Sequence, residues 1–250
     1  MSDVEFQSFL MRSLESAVRA SRDGAIHYVF MDWRHIDILM SVGRAIYGGT
    51  LNLVVWAKTN PGQGSFYRSQ HELIGAFRVG DLPHQNNVEL GKHGRNRSNV
   101  WNYSGVNSFG VGRDDALAMH PTVKPVALVI DAMRDCTSKG DLVLDPFLGS
   151  GTTVMAAEKI GRQCFGLEYE PAFVDVAIRR WQAYSNADAL LEGDGRTFDE
   201  IAAERLEALE MTSARQGQTA ETPNVEVDSG ENDWISLCAS ASSITVETPK

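Results

Sequence analysis

Cysteine is scarce in this 250-residue chain: Cys136, Cys164 and Cys238 are odd in number and form no CxxC pair. That excludes a disulfide scaffold and a cysteine-built zinc site, and it suits a reducing cytoplasm. Long hydrophobic runs are missing as well. The longest, such as Leu51–Ala57 and Val126–Ile130, fall far short of the roughly 18 residues a membrane span requires. No charged-then-apolar signal segment opens the chain, so the expectation is a soluble cytoplasmic protein with no membrane partner and no metal. Positive charge is in deficit, with 23 basic against 33 acidic side chains, a net of −10 and a pI near 5.1. This balance excludes a uniformly basic nucleic-acid coat but says little of local patches. Proline is sparse, eight residues of which no two are adjacent.

What is present divides the chain. Residues 56–113 hold Lys58, Arg68, Arg78, Lys92, Arg95, Arg97 and Arg113 against Glu72, Asp81 and Glu89, a local net of +4 in an acidic protein. Such an insert fits either a phosphate-binding surface or a solvated basic loop. Residues 211–250 are rich in Ser, Thr, Glu, Asn and Gly with isolated apolar residues, the composition of a disordered tail.

The periodicity predicts alternating elements. Ser2 with Glu5 forms a capping-box pattern, and Phe6, Phe9, Leu10, Leu14 and Val18 continue at helical spacing to about Ala20. Ala25–Met31 reads as a buried strand, 34–47 as a helix, and Leu51–Ala57 and Glu72–Val79 as strands. A Gly/Asn/Arg-rich stretch of little periodicity spans 80–119, and long loops in compact domains are functional or disordered. Alternation resumes with a helix at Lys124–Cys136, a strand at Leu142–Leu144 and a helix at Thr152–Lys159. A strand at Gln163–Leu167, a helix at Pro171–Tyr184 and a short strand near Ala189–Leu191 follow. The fold class expected is α/β with a doubly wound, mostly parallel sheet.

The sharpest chemistry lies at Leu142–Glu168. A strand enters Asp145-Pro146-Phe147-Leu148-Gly149-Ser150-Gly151-Thr152-Thr153 and a helix follows. Glycines at such a turn let a ligand approach the backbone, and free N–H groups at the helix start favour anionic or electron-rich groups. Glu168 ends the next strand 19 residues after Gly149, a spacing at which a carboxylate can accept hydrogen bonds from both ribose hydroxyls of an adenosine-bearing cofactor. A dinucleotide fingerprint wants Gly or Ala where Val154 stands, and no Gly-Lys-Ser/Thr of a P-loop occurs.

The run Asp145–Thr153 resembles the S-adenosylmethionine-binding motif of amino-group DNA methyltransferases, and His120-Pro-Thr122-Val-Lys124-Pro resembles the segment those enzymes place before it. The order, basic region first and cofactor strand afterwards, is similar to the permuted (beta) class; the resemblance covers about residues 4–200. It implies a Rossmann-like methyltransferase domain over 1–200, with target recognition in 56–119 and cofactor binding in 120–200, followed by a helix end and acidic tail over 201–250. It further implies S-adenosylmethionine as cofactor, with Phe147 near the adenosine, Asp145 near the methionine amino group and Glu168 on the ribose. Gly149, Ser150, Gly151 and Thr152 form the turn, while Thr122 and Lys124 line the methionine pocket; His120 either joins them or caps a turn. The partner implied is double-stranded DNA, its target base (adenine before cytosine) rotated out of the stack to reach the cofactor.

Several loops could serve that partner. In Asn60–His71, Arg68 would contact phosphate and Tyr67 the extruded base or its surroundings, unless Phe66 and Tyr67 are plugs that anchor a loop. Lys92, Arg95 and Arg97, among His93, Asn96, Asn99 and Asn102, have the chemistry for phosphate and base edges or for a solvated loop face. Asp32-Trp33, after the first strand, is a pocket candidate or a helix cap beside a packing ring. The family also carries an Asp/Asn/Ser-Pro-Pro-aromatic loop that accepts the target amine's hydrogens, and this sequence has no Pro-Pro pair. The expectation is a chain lacking an N-terminal part and with it a central strand of the sheet, with little methylation activity alone. The alternative is a non-catalytic cofactor- or DNA-binding remnant, or a subunit in a homodimer or completed by another chain.

Overall fold

The computed structural model describes residues 1–64, 66–94, 96–105, 123–216 and 243–246. Helix α1 (Asp3–Arg19) starts on its capping box, with the Glu5 carboxylate accepting from the Ser2 N–H at 2.6 Å. Strand β1 (Ile26–Met31), helix α2 (Ile36–Ile46), and strands β2 (Gly49–Ala57), β3 (His71–Arg78) and β4 (Val100–Asn102) follow. Then come helix α3 (Val126–Cys136), strand β5 (Leu142–Asp145), helix α4 (Thr152–Ile160), strand β6 (Gln163–Leu167) and helices α5 (Pro171–Ser185) and α6 (Phe198–Gln216). Strand β7 (Ser243–Val246) closes the described chain.

The strands form two sheets, in the orders β1-β3-β2-β4 and β5-β6-β7. Here the expectation of a mostly parallel sheet needs correction. β3 is antiparallel to both β1 and β2, and β7 to β6; among the described residues only β2–β4 and β5–β6 run parallel. No helix separates β2 from β3, so the chain returns through a loop as a hairpin does, and a hairpin pairs antiparallel. The strand expected near Ala189–Leu191 is a single bridge, Leu190 to Thr197. Within the stretch expected as tail, residues 211–216 are helical, and the β-branched run of Ser243–Val246 adds a strand to β6.

Three cores hold this together. β1 is half-buried and packed on both faces: Val29 and Met31 pack with Leu10, Leu14, Leu39, Val42 and Phe77 under α1 and α2. Tyr28 and Phe30 pack on the other face with Val54, Trp56, Ile74, Trp101 and Leu128. Helix α3 spans both sheets, since Leu128 and Ala132 join that cluster while Met133 packs with Leu148, Val154 and Trp181 beneath α4 and α5.

The packing also fixes direction. Lys124, just before α3, sits with its ammonium 4.9 Å from the centre of the Phe30 ring near the end of β1. At the other end of α3, Arg162 before β6 donates to the Thr137 carbonyl at 2.9 Å. β1, β5 and β6 therefore point the same way. Phe6 of α1 meets His35 beyond β1 at 5.0 Å, and Phe9 meets Phe147 beyond β5 at 6.1 Å, so one helix crosses both strand ends. β2 runs parallel to β1 because both oppose β3, and the β2–β3 loop thus lies at the same end. Among the described residues no helix is long and apolar enough to cross a membrane.

Candidate cofactor crevice and its surroundings

β5 delivers Asp145 to the crevice end of the sheet, where its carboxylate shapes the turn. Oδ1 accepts from the Phe147 N–H at 3.0 Å and Oδ2 from the Thr153 hydroxyl at 2.5 Å, tying the start of the turn to the first turn of α4. Gly151, at φ +82°, adopts a left-handed conformation, and a Cβ there would lie 2.7 Å from the Ala177 Cβ on α5. Only glycine meets both conditions without strain. Among the described residues no side chain caps the N-terminus of α4, so the helix start keeps donors available.

Glu168, at the end of β6, faces this turn. Its Oε2 accepts from the Gly149 N–H at 2.6 Å and its Oε1 from the Glu170 N–H at 3.0 Å. Two carboxylate oxygens offer about four lone-pair sites, so two remain for a ligand in a held geometry. Phe147 is 56% exposed at the rim. Ser150 and Thr152 are buried and belong to the wall of the turn.

Arg180 is a supporting residue that the sequence did not reveal. From α5 it donates to the Ser150 carbonyl and, at 3.0 Å, to the Ser150 hydroxyl; burial lowers its pKa from the usual arginine value. Its contact crosses 30 residues of chain, and no local spacing announces it. The two described cysteines, Cys136 and Cys164, are pushed up by burial to about 11 and about 12, so neither offers a thiolate. No group of three or more His, Cys, Asp or Glu that could hold a metal ion occurs among the described residues.

The other candidates separate. Lys124 stands over the Phe30 ring near the end of β1; His120, Thr122 and Arg95 lie outside the described residues. Asp32 accepts from the N–H groups of Arg34 and His35 at 2.7 and 3.1 Å, as a cap would, whereas Trp33 is 53% exposed under the Arg34 guanidinium and does not pack. Arg68 donates to the Pro61 and Gly62 carbonyls at 3.1 and 3.0 Å, closing its loop. Phe66 and Tyr67 are exposed and not buried plugs.

Arg97 turns inward. Its Nε lies 2.7 Å from the Asp135 carboxylate and its guanidinium 4.5 Å over the Trp101 ring, an arrangement that removes it from a phosphate surface. Asn87 docks nearby, its amide donating to the Arg134 and Thr137 carbonyls at 2.9 Å. Arg97 and Asn87, which flank Lys92 in the chain, thus sit on the last turn of α3, at the end away from the crevice. Lys92 itself pairs with Glu89 at 3.6 Å. The glycine and asparagine content had made this stretch look like a free loop, but its amides satisfy helix-end carbonyls.

Burial raises the Asp135 carboxyl to about 6, against the attraction of Arg97. A raised folded-state pKa contributes stability that is complete below the unfolded value near 4 and lost as pH rises through about 6. Asp135→Asn should therefore gain stability relative to the parent between pH 4 and pH 7. Urea midpoints at those pH values check this, and a constant difference would remove Asp135 as the titrating group.

Comparison with known proteins finds DNA methyltransferases. The chain is 33% identical over 138 residues to the type II methyltransferase M2.MboI of Moraxella bovis, covering 52% of this chain and 49% of that one. It is 26% identical over 185 residues to M.HinfI of Haemophilus influenzae, covering 71% and 52%. The chain spans about half the length of the curated relatives it matches. In fold it is similar to the PvuII DNA methyltransferase, cytosine-N4-specific, with TM-score 0.61 at 17% identity over 72% of each chain. It also resembles TTHA0409 of Thermus thermophilus complexed with S-adenosyl-L-methionine, with TM-score 0.55 at 22% identity over 77% and 80%. M1.HpyAVI, another structure of similar fold, was likewise solved as a complex with S-adenosylmethionine. With its glycine turn, its facing carboxylate and a match over residues 2–179, the chain belongs to the N6/N4 DNA methylase family.

Proposed function

We propose that this chain binds S-adenosylmethionine in the crevice between the Asp145–Gly151 turn and Glu168 and takes part in methylating an exocyclic amine of duplex DNA, adenine before cytosine. The observation that carries the reading is the Glu168 carboxylate held 2.6 Å from the Gly149 N–H, which fixes a charged acceptor beside the glycine turn. When bound, the cofactor supplies a methyl group on a positively charged sulfur. Glu168 would hold the ribose hydroxyls, the rim ring of Phe147 would pack on the adenosine, and Lys124, with Thr122 and His120, would line the methionine end. Gly149, Ser150, Gly151 and Thr152 would supply the wall and its N–H groups. On the DNA side, the exposed Tyr67 and Arg68 support the reading because they share the crevice end. Arg97 is better explained as a structural residue, while Lys92 would serve only a duplex reaching the far end.

The permuted class is supported by motif order, and a sheet lacking a central strand by its two open edges. β1 pairs only with β3 and β5 only with β6 among the described residues, while Leu142 and Leu144 of β5 are exposed. Unpaired edges of this kind favour a second reading: a binding subunit whose amine-holding loop comes from another chain. Both readings expect calorimetric binding of S-adenosylmethionine. Transfer of a tritiated methyl group to duplex DNA separates them: transfer by this chain alone favours the first, and little or no transfer, which the absence of any Pro-Pro pair predicts, favours the second. Robust transfer would overturn the inactivity, and absent cofactor binding would overturn both readings.

A further inference from the structure

The loop between β2 and β3 carries the two most exposed aromatic rings of the described chain, Phe66 at 85% and Tyr67 at 81%. They contact each other edge to face, with ring centres 4.4 Å apart. Two adjacent large rings held in water are unfavourable unless a partner removes them from it. Their base is built, not loose. The Lys58 N–H donates to the Gln70 carbonyl at 2.8 Å and the Gly62 N–H to the Ser69 carbonyl at 2.7 Å. The Gln70 amide donates to the Lys58 carbonyl at 2.9 Å, and Arg68 clamps Pro61 and Gly62 from within. The rings therefore project from a fixed stem at the sheet end where β1 and β5 also finish. Charge at the stem suits a polyanion: Arg68 is exposed, and with two of its five N–H donors used on the loop it retains others for phosphate.

We infer that Phe66 and Tyr67 form a wedge that enters the base stack of duplex DNA beside the target nucleotide and fills the space that nucleotide vacates. The inference rests on the DNA reading above and deepens it by naming the element that stabilises the opened duplex. A flipped base leaves a gap walled by two π-faces, and an apolar ring inserted there recovers stacking that would otherwise be lost. Stacking is indifferent to base identity, so the wedge acts whatever the recognition sequence, and its test needs no knowledge of that sequence.

The test compares a fluorescein-labelled 24-base-pair duplex carrying one abasic site with its fully paired counterpart, by anisotropy at low salt with S-adenosylmethionine present. An abasic site presents the gap without the work of extrusion, so the protein should bind it about tenfold more tightly than the paired duplex. Phe66→Ala/Tyr67→Ala should bind both duplexes equally, at the paired-duplex affinity of the parent, while Tyr67→Phe, which keeps the ring, retains the preference. These positions are exposed, and matching thermal melts establish that the variants fold. Equal binding of the two duplexes by the parent, or a preference that survives in the double variant, overturns the wedge while leaving DNA binding intact. Failure of the parent to bind either duplex overturns the DNA reading itself. Self-association of the parent that the double variant loses, with an unchanged duplex preference, overturns the wedge in favour of a protein contact.

Discussion

Glu168→Ala is expected to weaken S-adenosylmethionine binding by roughly thirtyfold or more, as measured by calorimetry. The carboxylate is the only side chain that accepts from the Gly149 N–H in the described structure, and it would also accept from the cofactor's ribose. Hydrogen bonds to a charged group contribute about 1.5–3 kcal/mol each, and 1.4 kcal/mol is a factor of ten in affinity. Losing two of them while the turn relaxes therefore exceeds about 2 kcal/mol. Glu168→Gln separates the contributions: it keeps an acceptor for Gly149 but not the charge, and should fall between parent and alanine variant. An alanine variant that binds as the parent does would remove Glu168 from the site and leave the glycine turn without its defining partner.

The prominence of this pair in the sequence has a physical cause. Asp145, Gly149, Gly151 and Glu168 are spaced by one β-turn-helix-β unit, in which every separation is set by element length, so linear spacing translates into proximity. The helix starting at Ser2 and Asp3 was equally legible, because a capping box satisfies its donors within one turn. Legibility failed where contacts are long in sequence. Arg97 carried the composition of a phosphate ligand, yet its partner Asp135 sits 38 residues on in α3, and charge alone does not say whether a cation faces solvent or a buried carboxylate. Asn87 read as loop, whereas its work is to bond the end of α3. β4, three residues long, lies below the length at which alternation can be recognised. The antiparallel pairing of β3 was hidden because strand content does not specify direction; the intervening loop does. Phe66 and Tyr67 were ambiguous for a related reason, since adjacent aromatics mark a plug and a tip alike, and only burial tells them apart.

The largest effect on stability is expected at Phe77, in the sheet that carries the aromatic loop. Its ring is fully buried, stacks on Tyr47 with centres 4.7 Å apart and planes 8° from parallel, and rests between two glycines. A Cβ at Gly43 on α2 would come within 2.3 Å of the ring and one at Gly75 on β3 within 2.4 Å. Two walls of the socket are thus backbone, which cannot collapse into the void as side chains might, so Phe77→Ala should cost about 3–5 kcal/mol. That is a large part of the roughly 5–15 kcal/mol that holds a domain. The same geometry predicts a reversal of sign. Gly43→Ala should destabilise the parent by pressing on the ring, yet stabilise the Phe77→Ala protein, where the methyl enters the void and alanine favours the helix by about 1 kcal/mol. Urea denaturation of the four proteins measures this, and additive effects would mean that Gly43 and the ring do not share the space. Below its melting temperature the Phe77→Ala protein should still bind S-adenosylmethionine as the parent does. The cluster around Phe77 and the cluster beneath the glycine turn have no buried residue in common, so a void in one leaves the packing that shapes the other in place.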